Sequence, residues 1–300
     1  MSSDRVTMDA RHIASSVTTV REILMVKLFN GDELSDEDLG VFPCPPQALR
    51  EFVKVIEGKG FLNKSAKHIG GMGKHYDMEI EGKHGELKVT SNKASSLDIL
   101  NWSPYIDTVQ FLQGQYKAKV AEFLGECGVP MMCAWFEQVV KPFSADIPAS
   151  NGMTCDGYLK AMSTIGMKGK QEKAAMAFIT ALRCSSSLKE LLHQKWLEFE
   201  VQWLSTHTPD HAKLETLVKD IIESKDFWIC VSKNEVNWVD GLKVSQLDFV
   251  GAKPKPRGGM SFHYMLSLKR GEEAKQVPME CKFHWKNGGQ AVQNLNFMLL

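Results

Sequence analysis

The sequence predicts an α/β chain in three stretches: a mixed sheet with flanking helices, a large helical middle, and a C-terminal β-meander. Three observations carry this. Near the start, apolar residues change from helical spacing to strict alternation at about residue 75. From about 107 to 224, almost every segment has apolar positions at helical spacing. After Asp226 the chain breaks into short runs rich in β-branched and aromatic residues, divided by turn residues. These changes of texture set expected boundaries at 1–106 for an α/β core with N-terminal helices, 107–225 for a helical region and 226–300 for a β-rich region packed with the core. One compact unit with an inserted helical layer fits the pattern as well as two domains.

The elements follow in order. Ile13, Val17, Val20, Leu24 and Leu28 recur on one helical face, and Gly31 closes that helix. After the polar turn SDEDLG, Pro45-Pro46 opens a second helix in which Leu49, Phe52, Val53 and Ile56 share a face. Residues 75–80 and 85–90 read as two strands joined by a turn at Glu81-Gly82-Lys83. Helices are expected at 105–124, 131–140, 156–165, 172–184, 186–204 and 209–224, several beginning with the Asp, Ser or Pro that first turns favour. The strands that follow are FWICVS, VNWVD, VSQLDFV, FHYMLSL, MECKFHW and VQNLNFMLL.

Composition excludes several classes of function. With 43% apolar and 24% charged residues, the chain is neither disordered nor collagen-like. Its longest apolar run is VPMMCAWF, far below the ~20 residues a membrane span requires. The N-terminus has no apolar signal core, so a cytoplasmic protein with no membrane partner is expected. The seven cysteines are odd in number and scattered, which favours reduced thiols over a disulfide framework or a zinc ribbon. His207 and His211 have the right mutual spacing for zinc but lack a cysteine pair. The GGMGK run at 70–74 lacks the spacing of a phosphate-binding loop.

The 36 basic and 36 acidic residues cancel overall but not locally. Residues 59–93 hold seven lysines against four acids, and 253–287 hold eight Lys/Arg against three. Two basic segments on an otherwise acidic chain fit a polyanionic partner.

The stretch GKHYDMEIEGKHGELKVTSNKASS, residues 73–96, carries the most chemistry. Asp77 lies on one strand, and Glu86 and Lys88 share a face of the next, with Leu87 turned to the core. A hairpin would gather two carboxylates and a lysine, enough to hold Mg²⁺ with its waters. Glu-x-Lys alone carries no weight, since it occurs six times in the chain. Only the copy at Glu86 follows an aspartate on the preceding strand of a short hairpin; Glu280/Lys282 reads as a strand-ladder pair. A plain cross-strand charge cluster is the other reading of Asp77, Glu86 and Lys88.

This Asp, then Glu-x-Lys, behind an amphipathic helix resembles the PD-(D/E)XK nuclease superfamily. ELKVTSNKASS is similar to type II restriction endonucleases, and the C-terminal FHWKNGGQAVQNLNFMLL resembles a late segment of enzymes that cut GGCC-like sites. The resemblance covers residues 47–96 and the last eighteen residues, and the helical middle shares none of it. It implies a restriction-endonuclease-like core, Mg²⁺ as cofactor, and catalytic roles for Asp77, Glu86 and Lys88. Tyr76 stands where the superfamily often has proline. A further metal-binding acid is expected at Glu79, or on the second helix at Glu51 or Glu57.

The implied substrate is double-stranded DNA, with Lys74, Lys93, Ser95 and Ser96 as phosphate contacts beside the metal site. Lys253, Lys255 and Arg257, on a glycine-ended loop, and Lys286 and Asn287, after Trp285, would contact DNA as well, Arg257 through guanine. Solvated turns are the plain alternative for these residues. A homodimer and a cognate DNA methyltransferase are partners the resemblance suggests. Two rival functions stay open: a non-catalytic nucleic-acid-binding protein on a nuclease-like fold, and a repair or recombination nuclease that reads DNA structure.

Overall fold

The computed structural model describes residues 13–69, 76–89, 97–102, 114–163, 172–255, 258–270, 273–285 and 293–299. The chain is mixed α/β, and its contacts divide it into two compact units rather than the three consecutive stretches 1–106, 107–225 and 226–300. The first unit joins residues 1–95 to 222–243, and the second joins 96–221 to 244–300. The reason is strand pairing: FWICV and VNWVD complete the first sheet although the helical region separates them from it in sequence.

In the first unit, helices α1 (Ile13–Asn30), α2 (Asp36–Leu39) and α3 (Pro46–Gly58) precede strands β1 (Ala66–His68), β2 (Met78–Ile80) and β3 (Lys83–Val89). Gly31, at φ +81°, ends α1 in the left-handed conformation that glycine adopts without strain. Ser35 and Asp38 form a reciprocal capping box at α2, within what the sequence suggested was only a turn. The turn between β2 and β3 is shorter than expected: Glu81 and Gly82 alone make it, both at positive φ (48° and 78°), the type I′ geometry that matches strand twist.

The first sheet has the order β1-β2-β3-β5-β6, where β5 is Phe227–Val231 and β6 is Val236–Asp240. β1, β2 and β3 form an antiparallel meander, β3 pairs in parallel with β5, and β6 returns antiparallel. A parallel pair needs a long crossover, and here residues between Val89 and Phe227 supply it. One face of this sheet packs on α1 and α3 through Leu24, Phe29, Leu49, Phe52, Ile56, Met78, Ile80, Leu87, Phe227 and Ile229. Gly85 lies in that core so tightly that a Cβ there would come within 2.3 Å of the Phe227 ring.

In the second unit, β4 (Leu97–Trp102) is a strand that the sequence did not announce; it pairs with β10 (Gln293–Leu299) across almost the whole unit. Helices α4 (Gly114–Leu124), α5 (Val129–Trp135), α6 (Cys155–Ser163), α7 (Lys173–Cys184), α8 (Ser186–Leu204) and α9 (His211–Glu223) lie between them, α9 running on into the first unit. Strands β7 (Lys243–Pro254), β8 (Met260–Arg270) and β9 (Glu273–Trp285) complete a second sheet of order β4-β10-β9-β8-β7. Trp135 meets Trp196 edge-on at 5.1 Å in the helical core, where both are buried.

One expectation fails here. Cys133 and Cys155 form a disulfide between α5 and α6, their Cα atoms 5.3 Å apart. Sequence spacing carries no information about which helices pack together, so it could not reveal this pair. Cys44, Cys127, Cys184, Cys230 and Cys281 are free thiols. No helix among the described residues is long and apolar enough to cross a membrane.

Candidate active site

The β2–β3 hairpin assembles the candidate site in the first unit. Its ladder pairs Met78 with Gly85, Glu79 with His84 and Ile80 with Lys83, and Asp77 directly precedes β2. The Asp77 backbone N–H donates to the Gly85 carbonyl at 3.0 Å. The Leu87 backbone N–H donates to Asp77 Oδ2 at 2.8 Å, which lays the aspartate carboxylate against β3. Leu87 is buried in the core, so Glu86 and Lys88 on either side of it project from the opposite face. Lys88 Nζ lies 2.5 Å from Glu86 Oε1. Glu86 is only 6% exposed, and its other oxygen, Oε2, is buried with no hydrogen-bond partner among the described residues. An orphaned carboxylate oxygen is costly unless something positive completes it.

The electrostatics agree with a crowded anionic site. The Asp77 carboxyl is pushed up to about 8, first by burial and then by the charges of Glu86 and Glu22; Lys88 and the Leu87 N–H pull it back. Glu22 is buried on α1 and lies 2.7 Å from His68 Nε2 on β1. Lys225 is 2% exposed, and burial brings its ammonium down to about 8 while Glu86 and Asp77 hold it up. Its Nζ stands 5.0 Å from the ring centre of Trp228, the parallel register partner of Glu86.

Glu22 and Lys225 were missed in the sequence. The sequence suggests a helix-borne acid on α3, but Glu51 is exposed and accepts from Gln47 Nε2 at 2.9 Å, and Glu57 is exposed too. α3 buries its Leu49-Phe52-Ile56 face, which leaves these acids on its outer flank. Glu79 is half-buried on β2, opposite Lys67 and His84. No local signal marks Glu22, which lies within the α1 pattern. Lys225 is significant only because β5 pairs in parallel with β3.

The expected DNA contacts fare unevenly. Lys74, Lys93, Ser95, Ser96, Arg257, Lys286 and Asn287 lie outside the described residues. Lys253 is exposed on β7. Lys255 is engaged within the protein: its Nζ lies 2.8 Å from Glu200 Oε1, and Glu200 is fully buried. The same carboxylate accepts from Trp196 Nε1 and the Met260 N–H, each at 2.8 Å. Burial raises the Glu200 carboxyl pKa despite the lysine beside it. Lys255 therefore anchors the β7–β8 turn to α8. Glu280 and Lys282 pair at 2.7 Å on β9, an inner strand of the second sheet.

Among the described residues, no group of three His, Cys, Asp or Glu side chains is placed to hold a metal ion. A hard cation that keeps most of its waters can be held by as few as one or two protein carboxylates. No protein-family model, curated protein or solved structure matches this chain.

Proposed function

We propose that the protein is a Mg²⁺-dependent endonuclease that hydrolyses phosphodiester bonds of double-stranded DNA, of the type II restriction kind. The observation that carries this reading is the gathering of Asp77, Glu86 and Lys88 at the β2–β3 hairpin, with Glu86 Oε2 buried and lacking a hydrogen-bond partner among the described residues. The strand order supports it further: an antiparallel meander bearing the site, then a long crossover to a strand parallel with β3. Asp77 and Glu86 would hold Mg²⁺, which supplies positive charge for the scissile phosphate and acidifies a bound water.

The chain's own residues have separable tasks. The Leu87 N–H fixes the Asp77 carboxylate beside Glu86. Lys88, drawn to within 2.5 Å of Glu86, stands ready to orient a water or to stabilise charge gathering on the phosphate. Lys253, with Arg257 and Lys286 of the same basic segment, would steer and position the duplex. A symmetric recognition site would call for a homodimer, and the host DNA would need a cognate methyltransferase.

Plasmid DNA lacking methylation, incubated with Mg²⁺, is expected to give discrete linear fragments, and EDTA to stop the reaction. A ladderless smear or cutting only at branches would replace site-specific cleavage with another nuclease activity. A second reading has its own support: the Lys88–Glu86 pair and the lack of a three-ligand cluster among the described residues suit a nuclease-like fold that binds without cutting. EDTA-insensitive binding to DNA, with no cleavage, would establish it.

A further inference from the structure

Lys225 lies between α9, which ends at Glu223, and β5, which starts at Phe227. Its neighbour Asp226 clips that junction to the start of β3. The Asp226 N–H donates to the His84 carbonyl at 2.8 Å, its Oδ2 accepts from the His84 N–H at 2.8 Å, and Lys83 Nζ donates to its Oδ1 at 3.1 Å. The clip sets the register in which Gly85 faces Phe227 and Glu86 faces Trp228. Lys225 is thereby held over the Trp228 ring, 5.0 Å from its centre and almost wholly out of water.

A buried ammonium persists only where anions compensate its lost hydration. Among the charges that act on Lys225, Glu86 holds its ammonium up most, Lys88 opposes it, and Asp77 adds to Glu86 once it ionises. Trp228 is the parallel register partner of Glu86, so the ammonium held over its ring lies on the Glu86 side of the β3–β5 pair. An exposed lysine would suffice to hold the strands together; a buried one answers the charge of this site.

We propose that Lys225 is a positioning residue that balances the Asp77–Glu86 carboxylate pair while no divalent cation is bound, and so opposes cation binding. This inference rests on the reading of Asp77 and Glu86 as metal ligands. Two positive charges that act on one pair of carboxylates are antagonistic, and the antagonism is reciprocal. Removing Lys225 therefore tightens cation binding, which loss of a purely structural lysine would not do.

The test uses the full-length protein, Ca²⁺ as an oxygen-seeking probe, and the variants Lys225→Met and Lys225→Arg. Calorimetry gives the Ca²⁺ dissociation constant, and thermal unfolding with and without Ca²⁺ gives an independent readout. Lys225→Met is expected to bind Ca²⁺ at least about tenfold more tightly than wild type, since even a small charge interaction of 1.4 kcal/mol is tenfold. It should melt lower without Ca²⁺ and gain more on its addition, whereas Lys225→Arg should follow wild type. A Lys225→Met protein that folds only with Ca²⁺ also supports the proposal. Unchanged or weaker binding overturns it, as does a variant unfolded both with and without Ca²⁺. Wild type that binds no Ca²⁺ overturns the metal-site reading itself; wild type that binds while Asp77→Asn does not leaves only the role of Lys225 at issue.

Discussion

Asp77→Asn is expected to lose Mg²⁺-dependent cleavage while making the metal-free protein more stable at about pH 8. The two effects share one cause. The wild-type carboxyl is forced up to about 8 by burial and by Glu86 and Glu22, against about 4 in an unfolded chain. Between those values the folded protein keeps a proton that the unfolded chain releases, so stability falls as pH rises through the window. Asparagine is neutral throughout, and its side-chain oxygen can still accept from the Leu87 N–H. Melting temperatures measured in EDTA should therefore match near pH 4 and separate towards pH 8, with the variant higher. Removing one of two anionic ligands forfeits several kcal/mol of transition-state stabilisation, about a thousandfold in rate or more. A variant less stable than wild type at pH 8, or one that still cuts, would contradict this account of Asp77.

Glu200→Ala is expected to destabilise the second unit by about 3–5 kcal/mol, the usual cost of stripping one partner from a buried charge pair. Glu200 accepts from Lys255, Trp196 and Met260, so alanine strands one part-buried cation and two N–H donors together. Urea unfolding followed by tryptophan fluorescence checks this, because Trp196 reports on the carboxylate it donates to. Glu200→Gln, which keeps an acceptor of the same size but no charge, should fall between wild type and alanine. A loss below about 1 kcal/mol would mean that the turn between β7 and β8 holds without the clamp.

The hairpin that carries the site was legible because its information is local. Alternation in Tyr76, Met78 and Ile80, a glycine turn, and the two-residue period put Glu86 and Lys88 on one face without any knowledge of the rest of the fold. The other two charges were not legible because tertiary pairing creates their environment. Glu22 meets His68 across a separation of 46 residues, and Lys225 joins the site only through the parallel pairing of β3 with β5. Lys255 misled for the complementary reason: KPKPRGG reads as a solvated basic loop unless the buried Glu200 of α8 is known to lie beneath it. The short β1, the β4 strand that pairs with β10, and the Cys133–Cys155 bond likewise depend on partners distant in sequence.

The central claim is that Asp77, Glu86 and Lys88 act together on a phosphodiester, and cleavage by Lys88→Ala tests it most directly. Single-turnover cutting of plasmid DNA at saturating Mg²⁺ is predicted to slow by about 10²–10³-fold, the usual cost of one preorganised charge-stabilising group, with DNA binding retained. A Lys88→Ala protein that cuts DNA at the wild-type rate would contradict the account.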